Sequence, residues 1–185
     1  MQIYTSPQNL TITNIGIFIL FVPFITVVLS CNLEKEDPAI HYPTEQYEYI
    51  SLDTSTAIFK NIVYVPIYSH MYIINGKRSV NFAATLSIRS TDFSDSIFVT
   101  KVDYYNSKGE IIKKYIDKVL LLKPMHSSEF IVEENDTEGG AGAYFIIKWS
   151  ALKSVNEPLI QAVMISTFSN LGFSFKTEGI KLNKQ

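Results

Sequence analysis

The sequence predicts an all-β protein: an antiparallel β-sandwich of immunoglobulin-like architecture, preceded by an N-terminal signal segment and a tether. Three observations carry this reading. From Tyr49 onward apolar residues recur with period 2 in segment after segment, no long stretch has period 3.6, and turn residues separate the segments at short intervals. The domain organisation follows as a signal peptide over 1–30, a lipidated cysteine and flexible tether over 31–48, and a sandwich over 49–182.

The first element is a targeting segment. No charged side chain occurs before Glu34, and Ile15 to Leu29 is an almost wholly apolar run of 15 residues. That is short of the roughly 20 residues a membrane-spanning helix needs, Pro23 interrupts it, and secretory h-regions have this length. Leu29-Ser30-Cys31 resembles a bacterial lipobox, in which a small residue precedes a cysteine that is acylated through a thioether before cleavage. Cys31 then becomes the new N-terminus, and two or three fatty acyl chains of the palmitate type hold it on the bilayer more firmly than one. One feature departs from the usual signal pattern, since residues 1–14 contain no Lys or Arg. The competing readings are an uncleaved anchor over about Leu10 to Leu29 and a cysteine buried in a packed hydrophobic segment. The polar residues Thr11, Thr13, Asn14 and Thr26 make the first a poor membrane helix.

The second element, Asn32 to Tyr49, holds two prolines and five acids with little aliphatic content, which reads as an extended tether. Its acidic cluster Glu34, Glu36, Asp37 is similar to the signal that sends some Bacteroidetes-type lipoproteins to the outer face of the outer membrane. Solvated linker charge explains the same residues.

The third element is the sandwich. Val80, Phe82, Ala84, Leu86 and Ile88 alternate with mostly polar neighbours. Phe98, Val102 and Tyr104, then Ile112 and Ile116, then Phe130 and Val132 continue the series, followed by Phe145, Ile147 and Trp149, by Val163 and Ile165, and by Phe173 and Phe175. Eight or nine short strands result, as in a sandwich. Asn75-Gly76 suits a type I′ hairpin, and Asn106 to Gly109 suits a type I turn closed by a glycine bulge. Trp149, the only tryptophan, is placed between the sheets; Ser150 to Glu157 lacks alternation and reads as a helical turn or a loop.

Composition limits the function. Sixteen Lys and Arg against eighteen Asp and Glu, with no basic run, argue against nucleic-acid binding. A single cysteine forms no internal disulfide, three scattered histidines build no metal centre, and no catalytic signature or cofactor motif is present.

Several strings carry a resemblance: VYVPIYSHMY from Val63, ATLSIRS from Ala84, VDYYNSKGEIIKKYI from Val102, SSEFIVEENDTEGGAGAYFIIKW from Ser127 and EPLIQAVMIST from Glu157. Over roughly residues 63–175 the chain resembles the domain of unknown function 3124 family, bacterial envelope proteins to which no activity is assigned. The resemblance implies a family pattern with Asn where this chain has Ser90 and Tyr144, so those amides are absent here.

Two segments are candidate sites. Tyr64, Pro66, Tyr68, His70 and Tyr72 alternate with Val63, Val65, Ile67, Met71 and Ile73, so one strand over Val63 to Ile74 would carry a tyrosine ladder. Tyr64, Tyr68, His70 and Tyr72 are the candidate partner-binding residues, because tyrosines offer area and a hydroxyl at low entropy cost to a protein or glycan. Pro66 suggests an edge strand, and ordinary cross-strand packing is the competing explanation. In the loop Glu133 to Gly142, Glu133, Glu134, Asp136 and Glu138 sit beside glycines and are weak candidates for a cation site; a solvated hairpin tip explains them as well. GGAG is no phosphate cradle, because no Lys-Ser/Thr follows it.

The expected protein is therefore a lipid-anchored, non-catalytic binding or accessory module without a cofactor. It sits on a bacterial membrane, the outer one, with its domain in the periplasm or on the surface, and its partner is an envelope protein or glycan. The alternative is a metal-assisted or histidine-dependent hydrolase, which would need His70 or His126 joined to acids from distant strands, with Ser127, Ser128, Asp103 and Glu129 as the other groups available. Cys31→Ser is expected to abolish acylation and leave the domain folded. Metabolic labelling with an alkyne fatty acid checks this, and label retained on the Ser variant would refute it.

Overall fold

The structure, a computed structural model, describes residues 47–53, 56–168 and 171–182. The signal segment, Cys31 and the acidic tether cluster lie outside the described residues. The chain divides into two units, 1–44 and 45–185, and every described residue belongs to the second.

The described residues form thirteen strand segments and no α-helix. They are β1 (Tyr49–Ile50), β2 (Phe59–Pro66), β3 (His70–Ile73), β4 (Arg78–Asn81), β5 (Ala83–Arg89), β6 (Ile97–Tyr105), β7 (Ile111–Lys114), β8 (Val119–Leu122), β9 (Ser127–Val132), β10 (Tyr144–Ala151), β11 (Leu159–Phe168), β12 (Leu171–Glu178) and β13 (Ile180–Leu182). A seven-stranded sheet has the order β1-β8-β6-β10-β2-β13 with β7 on β6, and a four-stranded sheet has the order β12-β11-β5-β9. Every pairing is antiparallel. This is the expected antiparallel sandwich, with β3 and β4 as a separate hairpin joining one sheet to the other.

Period-2 alternation decides which side of each strand is core. Val63 and Val65 on β2, Val102 and Tyr104 on β6, and Phe145, Ile147 and Trp149 on β10 point inward from the large sheet. Ala84, Leu86 and Ile88 on β5, Phe130 and Val132 on β9, and Ala162 and Met164 on β11 meet them from the small one. A bulge where β6 passes Lys148 and Trp149 of β10 reverses the alternation, so Val99 faces the core while Phe98 faces outward with its partner Ser150. Trp149 is 4% exposed and sits in the core as expected.

Both hairpins have the expected turn chemistry. Asn75 and Gly76 have φ of 54° and 79° between Ile74 and Lys77, and the Lys77 amide donates to the Ile74 carbonyl. In the other, the Asn106 carboxamide oxygen accepts from the amides of Lys108 and Glu110, and Gly109 takes φ of 83°. The register of β6 against β7 shifts beside this turn. Ser150 to Glu157 leaves β10 at Ala151 and continues as a loop.

There are more strands than the pattern predicts. The expected strand over Val63 to Ile74 is two strands, because Ile67 to Ser69 leave the ladder after Pro66 and His70 opens the hairpin. The run Val80 to Ile88 likewise breaks at Phe82, whose amide donates to the Ser69 carbonyl. Tyr47 and Glu48, on the tether side of the expected boundary, pack into the body: the Tyr47 ring stacks on Phe130, and Glu48 accepts from the Leu121 amide.

Trp149→Ala is expected to cost about 3–5 kcal/mol, the range for deleting a large buried aromatic. Denaturant unfolding checks it. Gly139 has no room for a side chain, since an added Cβ would lie 2.8 Å from both Tyr104 Cζ and the Ala143 Cβ and closer still to the Tyr104 hydroxyl. Gly139→Ala should therefore destabilise by about 1–3 kcal/mol, with part of the loss recovered in the double variant Gly139→Ala/Tyr104→Phe.

Candidate functional site

The four ladder residues lie in three places. Tyr64 is on the outer face of β2, with its ring centroid 4.7 Å from that of Tyr144. Tyr68 follows the end of β2 and turns toward the small sheet, packing edge-on against Phe175 at 5.7 Å. His70 and Tyr72 share a face of the β3–β4 hairpin, 5.2 Å apart, with Tyr72 well exposed. The expectation of one continuous ladder is corrected by this split: with the ladder broken at Ile67 to Ser69, the residues no longer share one face. Pro66 does sit where the sheet has a local edge, because β13 pairs with β2 only from Ile62 to Tyr64.

A different row of tyrosines is assembled across strands. Tyr144 on β10 lies opposite Tyr105 on β6 in register, and the two rings stack at 5.0 Å with planes 4° apart. With Tyr64 this makes three phenols side by side on the outer face of the large sheet. Because the rings are packed against one another, the row offers solvent mainly ring edges and hydroxyls. Burial, then Tyr144 and Tyr68 nearby, holds the Tyr64 hydroxyl above the ordinary tyrosine range, so it stays a donor at neutral pH.

Lysines surround this row. Lys101 Nζ lies 5.8 Å from the centroid of Tyr105, donates to its hydroxyl at 3.3 Å, and pairs with Asp103 Oδ2 at 2.7 Å. Asp103 is 2% exposed although it lies on the outer face, and its register partners are Ile146 on one side and Lys114 on the other. The hydrogen bond to Asp103 raises the Lys101 pKa, against the opposing effect of desolvation. Lys148, exposed, is directly opposite Lys101. Thr100, Lys101, Asp103, Lys114 and Asp117 line a shallow cleft beside the tyrosines. Sequence reading missed this site because it takes one to three residues from each of four strands. The signal that could have found it is the polar-face alternation of Tyr144, Ile146 and Lys148 against Lys101, Asp103 and Tyr105.

The acidic loop is tied to the body through its backbone and glycines. Glu133, Glu134 and Glu138 are exposed, and among the described residues no three His, Cys, Asp or Glu side chains are grouped as a metal site. Asp136 accepts from the Glu138 amide, and Glu134 accepts from the Ser166 hydroxyl. The glycines bind protein: the Gly139 carbonyl accepts from both the amide and hydroxyl of Ser107, the Gly140 carbonyl from both of Ser69, and the Ser107 hydroxyl accepts from the Gly142 amide.

His126 is exposed at the turn Lys123 to His126 and lines a cleft with Tyr47, Glu48, Ser127 and Ser128. Glu48 is held by Lys123 at 2.6 Å. His70 is near neither this cleft nor that of Asp103.

A family model described as "Protein of unknown function (DUF3124)" matches residues 60–182. A search of curated proteins finds no match. Among solved structures the chain is similar to one described as "Crystal Structure of Thermotoga maritima 1070", at 16% identity over 65% of this chain and 92% of that one, with a TM-score of 0.39.

Lys101→Met is expected to destabilise the fold by about 1–3 kcal/mol, because it leaves a buried carboxylate without its cation, while Lys101→Met/Asp103→Leu should cost less than the single change. Since pairing raises the lysine pKa in the folded state, its contribution is complete at neutral pH and is lost only as pH rises through the lysine range. Chemical denaturation at pH 7 and pH 11 checks both statements.

Proposed function

The chain belongs to the DUF3124 family, proteins of unknown function, and from that premise we propose that it is a lipid-anchored cell-envelope protein that acts as a non-catalytic binding module. The lipobox-like Leu29-Ser30-Cys31 after an apolar run supports the anchor. The outer face of the large sheet supports the binding role, and one observation carries it: Tyr64, Tyr144 and Tyr105 form a continuous row flanked by Lys101, Lys114 and Lys148, with Asp103 as the paired, buried acid among them. Phenol hydroxyls and ammonium groups are donors, so the face suits an acceptor-rich partner, an envelope glycan or a protein surface bearing carboxylates. Cys31 on a bacterial membrane, the outer one, would place this face in the periplasm or at the cell surface.

A histidine-dependent hydrolase is the second reading, favoured by the cleft that gathers His126, Glu48, Ser127 and Ser128. Loss of an envelope hydrolase activity on His126→Ala, with an unchanged melting temperature, would support it over the binding reading.

For the binding reading, Tyr105→Ala and Lys148→Glu should each leave the fold intact and together, in a Cys31→Ser chain that carries no lipid, remove co-sedimentation with purified envelope glycan and with envelope membranes stripped of glycan. Undiminished co-sedimentation in both fractions overturns the assignment of this face.

A further inference from the structure

The two edges of the four-stranded sheet are treated differently. At the β9 edge, the Tyr47 hydroxyl donates to the Glu129 carbonyl and the Tyr115 hydroxyl donates to the Ile131 carbonyl, both at 2.6 Å. Two tyrosines thus cap alternate carbonyls of that strand, which removes them from pairing with another chain.

Among the described residues the β12 edge has no such cover. It pairs with β11 without a bulge from Leu171 to Glu178, and among the described residues no backbone hydrogen bond reaches its free side between Gly172 and Lys176. It contains no proline, and its one lysine is tied to Glu178 of the same strand at 2.9 Å. Proline, bulges, inward charges and free lysines are the usual protections of an edge strand; β12 lacks the first three, and its exposed lysine is paired within the strand. Its core-facing side also runs past the cover of the large sheet. Phe175 is packed beneath Tyr68 and Phe82, while Phe173 is 42% and Leu171 is 64% exposed on the same side.

An open strand edge with an apolar overhang needs another strand that brings an overhang of its own, and β12 itself meets this requirement. With a two-fold axis through Ser174, Ser174 faces its own copy, Phe173 faces Phe175 of the second copy, and Gly172 faces Lys176. No like charges are opposed, and the sole charges, Lys176 and Glu178, stay toward the ends of the strand where they already pair with each other. The contact is isologous, so it closes at two copies and does not propagate. We infer that β12 is a self-association edge, on which a second copy of this chain pairs antiparallel about Ser174 and joins the two four-stranded sheets into one.

Single-cysteine cross-linking of the full-length chain in its own envelope tests this. Cysteines directly opposed across antiparallel strands lie within the Cα separation a disulfide accepts. Ser174→Cys should therefore give a product of twice the chain mass on oxidation, whereas the unaltered chain, with Cys31 alone, and Ser94→Cys in the β5–β6 loop should not. Adding Phe173→Lys or Leu171→Glu to Ser174→Cys should reduce that product at least tenfold. Both positions are already partly exposed, and a melting curve of each variant confirms that it folds. Absence of the product from Ser174→Cys, equal yield from Ser94→Cys, or full yield in folded Phe173→Lys and Leu171→Glu variants would each overturn the proposal.

Discussion

The architecture depends on one backbone segment, Gly139 to Ala143, closing over the side chain of Tyr104. Tyr104 is fully buried, burial drives its hydroxyl pKa upward, and that hydroxyl lies against Gly139 where any side chain would collide. The segment then binds in three directions. Ser107 ties it to the β6–β7 hairpin, Ser69 ties it to the exit of β2, and the Ile67 amide donates to the Ala143 carbonyl. Ser69 passes the connection on, because its carbonyl accepts from Phe82 at the start of β5. One glycine-rich loop therefore links the strand exits of both sheets, and three glycines in four positions follow from close approach to Tyr104 and Ser107 together with the positive φ of Gly140.

This constraint also sets the outer face. Tyr144 follows the loop directly and begins β10, so the position of Gly139 to Ala143 fixes the register in which Tyr144 meets Tyr105 and Pro66. A shift of one residue would send Tyr144 into the core and Phe145 out to solvent. The tyrosine row and the Tyr104 contact are thus two consequences of one register. The Tyr144 ring is the central one of the row, joining Tyr64 to Tyr105.

How much of this was legible in the sequence depended on range. Period-2 alternation is local, so the strands around Ala84 to Ile88 and Phe145 to Trp149, the burial of Trp149 and the two glycine turns could all be read from adjacent residues. The bulge in β6 could not, because it is defined against β10, about 50 residues on, and it turns Val99 into the main core cluster while Phe98 is buried on the other side of the strand. The break after Pro66 was hidden for a similar reason: tyrosines continue to alternate through Ile67 to Ser69, while the chain there bonds to Gly140 and Ala143. The ladder Tyr64, Tyr68, Tyr72 was an extrapolation of a local period across that break. The glycine-rich loop was read by its charges, whereas its glycines respond to Tyr104, a residue whose neighbours no local pattern names.

The buried charge on the outer face shows why composition and function separate in this chain. The whole sequence carries a formal charge of −2, yet across β7, β6 and β10 the outward register positions hold Lys114, Lys101 and Lys148 against Asp103 alone. Lys101 and Lys148 oppose each other in register, an arrangement that like charges disfavour. Asp103 relieves it by drawing Lys101 away, and the stacked tyrosines hold Lys101 over Tyr105. The acid thus stabilises a concentration of positive charge that net composition conceals. Removing Asp103 would release Lys101 against Lys148, so the carboxylate is there to make a basic, donor-rich surface tolerable in the folded state, and the binding chemistry of the face belongs to the lysines and phenols around it.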